Sequence, residues 1–273
     1  MGNCGTREDS VVAAVHAQVQ QLYMFPGKKK FLATSLVLLH ERIGLLSLPV
    51  FLLSGFISYA SGSQPQAFNK AWSKVCPSPS SATLIVPAKK RYLLKPTTFS
   101  APCKSKVTIK GMIKAPPHRS AWDETNRRHW ILFDGVNNLQ VTGGGIINGN
   151  GQIWWKNSCK INKYLPCKNA PTAITFYGSN NLVVENLKVK NSQQIHEQFE
   201  KCTNFRASYL SITAPENSPN TDGIHITSTQ NINLDHCNIG TGDDCISIVD
   251  GAQTVKATNI SCGPGHGIKY MTP

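Results

Sequence analysis

The length, composition and charge of the chain narrow its class before any motif is considered. Its 273 residues suffice for one large domain or two small ones, and 40% apolar with 16% charged residues is ordinary for a folded chain. The formal charge of +13 favours an anionic partner, such as nucleic acid, anionic lipid or an acidic polysaccharide. Basic runs are short and no nucleic-acid-binding motif is present, which disfavours nucleic acid.

The N-terminal part of the chain carries two targeting signals that disagree. Met1–Thr6 fits the pattern for N-myristoylation, which would hold the chain on the cytosolic side of a membrane. Behind a basic flank, the uncharged apolar stretch Ile43–Ala60 suits a signal peptide or a signal anchor that delivers the following residues outside. We predict a targeting segment over residues 1–60, with a chimeric origin as the alternative, and a folded domain over residues 61–273.

The cysteines favour an oxidising compartment. None of the nine falls in a CxxC pair, so a zinc site is not expected. Eight of them follow residue 60, an even number spread over the predicted domain, which favours disulfides whose connectivity the spacing leaves open. These eight are Cys76, Cys103, Cys159, Cys167, Cys202, Cys237, Cys245 and Cys262.

One helix and then a series of short strands are predicted along the domain. Apolar residues at helical spacing predict a short helix over Gln66–Cys76. Beyond it, β-rich runs are separated by Gly, Asn, Ser and Pro, and no further amphipathic helix is evident. The runs cover residues 82–86, 107–109, 130–133, 139–141, 173–176, 182–184, 223–226 and 245–248.

An asparagine-led pattern repeats through these strands. It begins at Asn138, Asn181, Asn204 and Asn231, and the last two steps are 23 and 27 residues. A period in the twenties made of strands and turns indicates a solenoid, and the lack of helices favours a parallel β-helix. Asparagines at equivalent corners would stack and hydrogen-bond along the solenoid. An antiparallel sandwich with coincidental repeats is the alternative.

Acidic residues and a histidine recur at the same period. Asp222 closes an Asn220-Thr221-Asp222 motif, Asp243 and Asp244 follow Gly242, and His266 lies between glycines. Asp222 to Asp243 is 21 residues and Asp243 to His266 is 23, so each step is about one turn of the solenoid. Residues one coil apart stack at a spacing of ~4.8 Å. We therefore expect these side chains to form a column on one face.

Such a column has the chemistry of acid–base hydrolysis. Carboxylates at close quarters repel, so one should remain protonated and act as a general acid while the others polarise a water molecule. An inverting glycosidase uses this arrangement, with carboxyl groups ~6.5–9.5 Å apart and no metal. Asp243 and Asp244 can share a cleft only if the backbone bends, for which Gly240 and Gly242 are suited. His225 is interpreted as a structural residue.

Three motifs in this order resemble glycoside hydrolase family 28, the family of the plant polygalacturonases. The motifs are Ser218–His225, Gly240–Cys245 and Cys262–Gly267, and the resemblance runs from about Gln66 to Ile268. It implies a right-handed parallel β-helix, with the predicted helix as an N-terminal cap. It also implies hydrolysis of α-1,4-linked galacturonan with inversion.

The resemblance assigns a role to each residue of the column. Asp243 would be the general acid, and Asp222 with Asp244 would activate the water molecule. His266 would support substrate binding and the protonation of the acid, and Asn220 would bind substrate.

The resemblance also implies the chemical and cellular setting. Cys245 and Cys262 would form a disulfide, and neither a metal nor another cofactor would be required. The partner would be pectin, an acidic polysaccharide, and the chain would be a monomer. The cell wall would be the location, unless an uncleaved segment before residue 61 anchors the chain to a membrane.

The end of the chain departs from the family pattern. Where the family continues with a Ser/Gly-rich strand, this sequence reads Lys269–Pro273, without the later Arg-x-Lys motif. No clear strand precedes the helix either. We therefore expect a β-helix that is incomplete at its C-terminus and of low activity. The alternatives are an inactive pectin-binding remnant, a hydrolase of rhamnogalacturonan or xylogalacturonan, and a calcium-dependent pectate lyase of the same fold.

Overall fold

The computed structural model describes residues 50–52, 64–78, 82–103, 105–122, 127–167 and 169–271. Apart from residues 50–52, the predicted targeting segment lies outside these ranges. The helices are α1 Gln64–Val75 and α2 Gln152–Trp155, with a 3-10 turn at Arg119–Ala121. The strands are β1 Val50–Leu52, β2 Ala82–Val86, β3 Arg91–Leu93, β4 Thr97–Ser100, β5 Ser105–Ile109, β6 Met112–Lys114, β7 His129–Asp134, β8 Gln140–Thr142, β9 Ile146–Asn148, β10 Thr172–Tyr177, β11 Asn180–Glu185, β12 Lys188–Lys190, β13 Glu197–Glu200, β14 Thr203–Ser208, β15 Ser211–Thr213, β16 Ile224–Thr227, β17 Gln230–Asp235, β18 Asn238–Gly240, β19 Ile246–Ile248, β20 Gln253–Thr258, β21 Ser261–Cys262 and β22 Ile268–Tyr270.

The strands form three parallel sheets that share one winding. The first sheet has the order β1-β2-β5-β8-β11-β14-β17-β20, the second β3-β6-β9-β12-β15-β18-β21, and the third β4-β7-β10-β13-β16-β19-β22. From β2 onward each strand pairs with the strand three positions later in the chain, so each coil supplies one strand to each sheet. The predicted all-β parallel β-helix is confirmed.

Apolar side chains fill the interior in register. In the third sheet Phe133, Phe176 and Phe199 are Cα partners, and their rings stack at 5.3 Å and 5.1 Å between centroids. Successive side chains along a strand point to opposite faces of the sheet. The residues next to these phenylalanines therefore form a second row across the strands, and this row faces outward. The outward row of the third sheet is therefore available for a site.

Helix α1 packs against the first coils. Its apolar face buries Phe68 and Trp72, and the Trp72 indole Nε1 donates to the carbonyl of Ser100 at 3.2 Å. The Trp72 ring also lies 5.0 Å from that of Phe99. The helix was predicted over Gln66–Cys76, and its position beside β2 and β4 is that of a cap on the solenoid.

Asparagines form a ladder at one corner, as their spacing predicted. The Nδ2 atoms of Asn181, Asn204 and Asn231 each donate to the Oδ1 of the asparagine one coil earlier, at 3.0, 3.1 and 3.0 Å. The first acceptor is Asn138, and all four residues have φ of +56°. Asparagine tolerates this left-handed backbone better than most residues, so one residue type serves both the turn and the ladder.

A strand precedes α1, although the sequence showed no clear one. Val50–Leu52 pairs with β2, with Phe51 opposite Leu84. These residues stand inside a long apolar run without alternation, so the hydrophobic pattern does not separate a strand from its neighbours. Within the part of the chain that the structure describes, no helix is long and apolar enough to cross a membrane.

The cysteines of the β-helix are either disulfide-bonded or buried as free thiols. Cys76–Cys103, Cys159–Cys167 and Cys245–Cys262 are disulfides. Cys202 and Cys237 are buried thiols, so the even count did not mean that all eight pair. Burial raises the pKa of each thiol to about 11, which leaves both protonated and unreactive at neutral pH.

Candidate active site

The predicted column exists, and the strand register defines its members. Strands β16, β19 and β22 of the third sheet pair first residue to first residue. Asp222, Asp244 and His266 each stand two residues before these strands, so they occupy equivalent positions in successive coils. Chain spacing suggested Asp243 as the middle member, but Asp244 holds that position. Asp243 stands one residue earlier, in the turn.

The turn before β19 brings the two adjacent aspartates to the same side. The backbone N–H of Asp244 donates to Asp243 Oδ1 at 2.9 Å, so the Asp243 side chain folds back over the following residue. Gly242 allows the close approach of the neighbouring coil, because a Cβ there would overlap the carbonyl oxygen of Ser218. The Gly242 N–H donates to Thr221 Oγ1 at 3.0 Å, which links the first and second motifs.

His266 contacts both of these carboxylates. Its Nδ1 lies 3.3 Å from Asp243 Oδ1 and 3.7 Å from Asp244 Oδ1. Its backbone N–H donates to the carbonyl of Asp243 at 3.0 Å. The disulfide between Cys245 and Cys262 closes this segment. The imidazole is 67% exposed and the Asp243 side chain 26%, so this edge of the cluster faces solvent.

Ser247 joins the other two carboxyls. Its Oγ lies 2.9 Å from Asp222 Oδ2 and 2.8 Å from Asp244 Oδ2. A hydroxyl has one proton to donate, so both contacts are hydrogen bonds only when one carboxyl is itself protonated and donates to Oγ. Ser247 therefore bridges the Asp222 and Asp244 carboxyls through one hydroxyl.

The environment of Asp222 favours its ionised form. Burial alone would raise the pKa of this carboxyl, but the His225 ring and the Ser247 hydroxyl outweigh it and hold the pKa below its usual value. The Nδ1 of His225 lies 3.5 Å from Asp222 Oδ2. His225, interpreted from sequence as structural, thus contacts a predicted site residue.

A buried histidine supports Asp222 from beneath. His196 is fully buried, and its Nδ1 lies 2.9 Å from the carbonyl oxygen of Asp222. Burial lowers the pKa of His196 to about 4, so the ring is neutral at neutral pH. The same carbonyl accepts the backbone N–H of His196 at 2.9 Å, which fixes the turn from which Asp222 projects.

Sequence reasoning missed Ser247, His196 and Lys269. Lys269 Nζ lies 3.8 Å from Asp244 Oδ2, and Ser247 and Lys269 are Cα partners in the outward row. A signal for both was present, because each stands three residues after the column residue of its coil. No local signal marks His196, since its partner is a backbone carbonyl 26 residues away.

Part of the cluster has the donor set of a cation site. Ligand atoms of Asp243, Asp244 and His266 all lie within 4.8 Å of one another. Carboxylate and imidazole donors suit a divalent ion. The Lys269 ammonium beside Asp244 places a positive charge where such an ion would bind, so the cluster fits a cation poorly.

The described residues thus combine a parallel β-helix with neighbouring carboxyls on one outward face, and paired carboxylic acids are the groups that most glycosidases use. The sequence profile of glycosyl hydrolases family 28 matches residues 76–270. The chain belongs to this family.

Curated relatives support the assignment. The chain is 57% identical over 204 residues to polygalacturonase-2 of Solanum lycopersicum, covering 74% of this chain and 44% of that protein. It is 57% identical over 206 residues to a polygalacturonase of Malus domestica, again 74% of this chain and 44% of that one. The chain spans about half the length of the curated relatives it matches.

A solved structure supports the fold. The endo-xylogalacturonan hydrolase from Aspergillus tubingensis superposes with a TM-score of 0.70 at 23% identity, covering 82% of this chain and 60% of that chain.

Proposed function

We propose that the chain hydrolyses α-1,4-galacturonosyl linkages of pectin with inversion, in cell-wall modification. The observation that carries the proposal is the assembly of Asp222, Asp243 and Asp244, two of them linked by the Ser247 hydroxyl and the third beside His266. The names of the plant relatives support the substrate.

Asp243 is the general acid of this proposal. It is the most exposed of the three aspartates and lies 3.3 Å from His266 Nδ1. A protonated Asp243 would donate its proton to the glycosidic oxygen of the leaving sugar. The carboxylate that results would be stabilised by the imidazole of His266.

Asp222 and Asp244 activate the water molecule. Their shared hydroxyl holds them as a pair, and the lowered pKa of Asp222 keeps at least one carboxylate ionised at mildly acidic pH. That carboxylate would accept a proton from water as it attacks the anomeric carbon on the face opposite the leaving group. The products are one fragment with a new reducing end of inverted anomeric configuration and a second fragment that keeps the glycosidic oxygen as a free hydroxyl.

Asn220 and His266 bind the substrate in this scheme. Asn220 has φ of +56° and stands two residues before Asp222, in the same turn. The fold similarity to the endo-xylogalacturonan hydrolase keeps a substituted galacturonan as a second substrate candidate. A purely pectin-binding remnant is not favoured, because all the acid–base groups are assembled.

The proposal extends to location and assembly. A secreted monomer in the cell wall fits an acidic polysaccharide substrate and three disulfides. Membrane anchoring through residues 1–60 is the alternative. Mass determination of the form recovered from the wall of expressing cells separates the two, because an anchored chain keeps its N-terminal segment.

The first prediction is that Asp243→Asn lowers the rate of reducing-end release from polygalacturonate by about 10³-fold, because a general acid contributes of that order. Asp250→Asn is the matched control: Asp250 is exposed and just past β19, so the same loss of charge there should leave the rate unchanged. Equal rates for Asp243→Asn and the parent chain would refute the proposal. Products that absorb in the ultraviolet, or loss of activity with EDTA, would indicate a lyase instead.

A further inference from the structure

A cavity of about 180 Å³ lies beside the candidate active site. We call it the Trp154 cavity. Helix α2, the 3-10 turn, the Cys159–Cys167 disulfide loop and the turn before Asp222 surround it. The volume is below the roughly 300 Å³ at which pockets for drug-sized ligands begin, so it suits one sugar unit rather than an oligosaccharide.

The walls of the Trp154 cavity are firmly held. The Trp155 indole Nε1 donates to the carbonyl of Ser192 at 3.1 Å, which ties α2 to the β-helix. Past the disulfide loop, the N–H of Ala170 donates to Gln194 Oε1 at 3.2 Å. A cavity with such walls exists before a ligand binds, which reduces the entropy lost on binding.

Its lining is cationic and contains no carboxylate. Arg119 and Lys160 contribute two positive charges, and the Arg119 guanidinium lies 4.9 Å from the ring centroid of Trp154. Among the described residues, neither cation has an acidic partner within ion-pair distance. The buried amide of Gln193, also in the lining, has no hydrogen-bond partner in the described protein. These features suit a ligand that is both anionic and rich in hydroxyl groups.

The cavity adjoins the candidate active site at Asn220. This residue lines the cavity and stands two residues before Asp222. We propose that the Trp154 cavity binds one carboxylate-bearing sugar of the polysaccharide, beyond the sugars held at the aspartates. Arg119 and Lys160 would hold the carboxylate, and the proposal rests on the function proposed above.

The test measures binding to a graded length series of oligogalacturonates by calorimetry. An Asp243→Asn background prevents cleavage during the titration. Arg119→Met and Lys160→Met should each weaken the binding of long oligomers about five- to tenfold, the worth of one charged contact. Oligomers too short to reach the cavity, and fully methyl-esterified long ones, should bind the parent and both variants alike.

Lys163→Met is the matched control. Lys163 is exposed on the same disulfide loop but does not line the cavity, so it reports the loss of general positive charge. Variants that bind long oligomers as the parent does, or a control that weakens binding equally, would overturn the cavity proposal. If Arg119→Met and Lys160→Met weaken the binding of long oligomers only, while the chain with Asp243 intact hydrolyses nothing, the result would support the cavity and overturn the hydrolase. A parent chain that binds no oligomer would overturn the cavity as well.

Discussion

One serine hydroxyl bridges two of the three carboxyls. Ser247 Oγ is within 2.9 Å of both Asp222 and Asp244, so it fixes their positions relative to each other. Ser247 itself undergoes no chemistry. Its effect is on the position and charge of the groups that would hold the water molecule.

Ser247→Ala should therefore lower kcat about tenfold with little change in KM, since substrate contacts remain. The hydroxyl is one of the groups that lower the pKa of Asp222. Without it that pKa rises, so the acidic limb of the pH–rate profile should move to higher pH. Pectin hydrolysis measured across pH tests both effects, and Ser247→Thr, which keeps the hydroxyl, should restore the profile. An unmoved acidic limb in Ser247→Ala would contradict the linkage.

A buried carboxyl in the interior should make stability depend on pH. Glu197 is fully buried on the same face of β13 as Phe199, and neither carboxyl oxygen has a hydrogen-bond partner in the described protein. Burial raises its pKa from 4.5 to about 8. The folded state therefore holds this proton at pH values where the unfolded chain has released it. Its contribution to stability is complete below pH 4.5 and is lost progressively up to about pH 8.

Glu197→Gln should remove this dependence, because the amide carries no charge at either pH. Each pH unit within the window changes the free energy of unfolding by about 1.4 kcal/mol for one proton. The variant should lose less stability than the parent between mildly acidic and mildly alkaline pH, as measured by urea denaturation. Glu216→Gln is the control, since Glu216 is exposed. A parent and variant with the same pH dependence would contradict the prediction.

At the scale of elements, the asparagine ladder holds successive coils together at one corner. Asn204 donates to Asn181 and accepts from Asn231, so it links three coils. Its φ of +56° adds a second requirement, because most residues are strained there.

Asn204→Ala should lower the free energy of unfolding by about 2–3 kcal/mol, from two lost hydrogen bonds and the backbone strain. Asn204→Gly loses the same hydrogen bonds, but glycine adopts a positive φ without strain. Its free energy of unfolding should therefore fall by less, and the difference from Asn204→Ala is the backbone strain. Thermal or urea unfolding measures both. Equal losses in the two variants would show that the backbone conformation contributes nothing.

The sequence predicted those elements whose signal is local. β-rich runs between turn residues marked eight of the strands, helical spacing marked α1, and the repeated asparagines marked the corner. Register is not local, because a distance counted along the chain does not separate strand residues from turn residues. The spacing therefore indicated Asp243 as the middle of the column, whereas the paired strands place Asp244 there. His196 was missed for the same reason, since its partner becomes a neighbour only after winding.

At the scale of the molecule, the three sheets carry different features. The interior is shared by all of them, the first sheet begins beside the asparagine corner, and the third carries the carboxyls on its outward side. Part of the excess of basic residues in the sequence is concentrated at the Trp154 cavity, whose lining has two cations and no acidic residue. An acidic polymer would meet both regions along the same face.

The acidic and imidazole side chains stand in the turns, two residues ahead of strands whose pairing is uniform. The strands that set position are thus separate from the turns that carry these side chains. An exchange of such turns between related chains would have to keep both the strand register and the packing of the turns, because Thr221 and Thr241 are fully buried. The Cys159–Cys167 loop, closed on itself by its own disulfide, is the natural first segment to transplant. Substrate preference could then be redesigned one turn at a time on an unchanged scaffold.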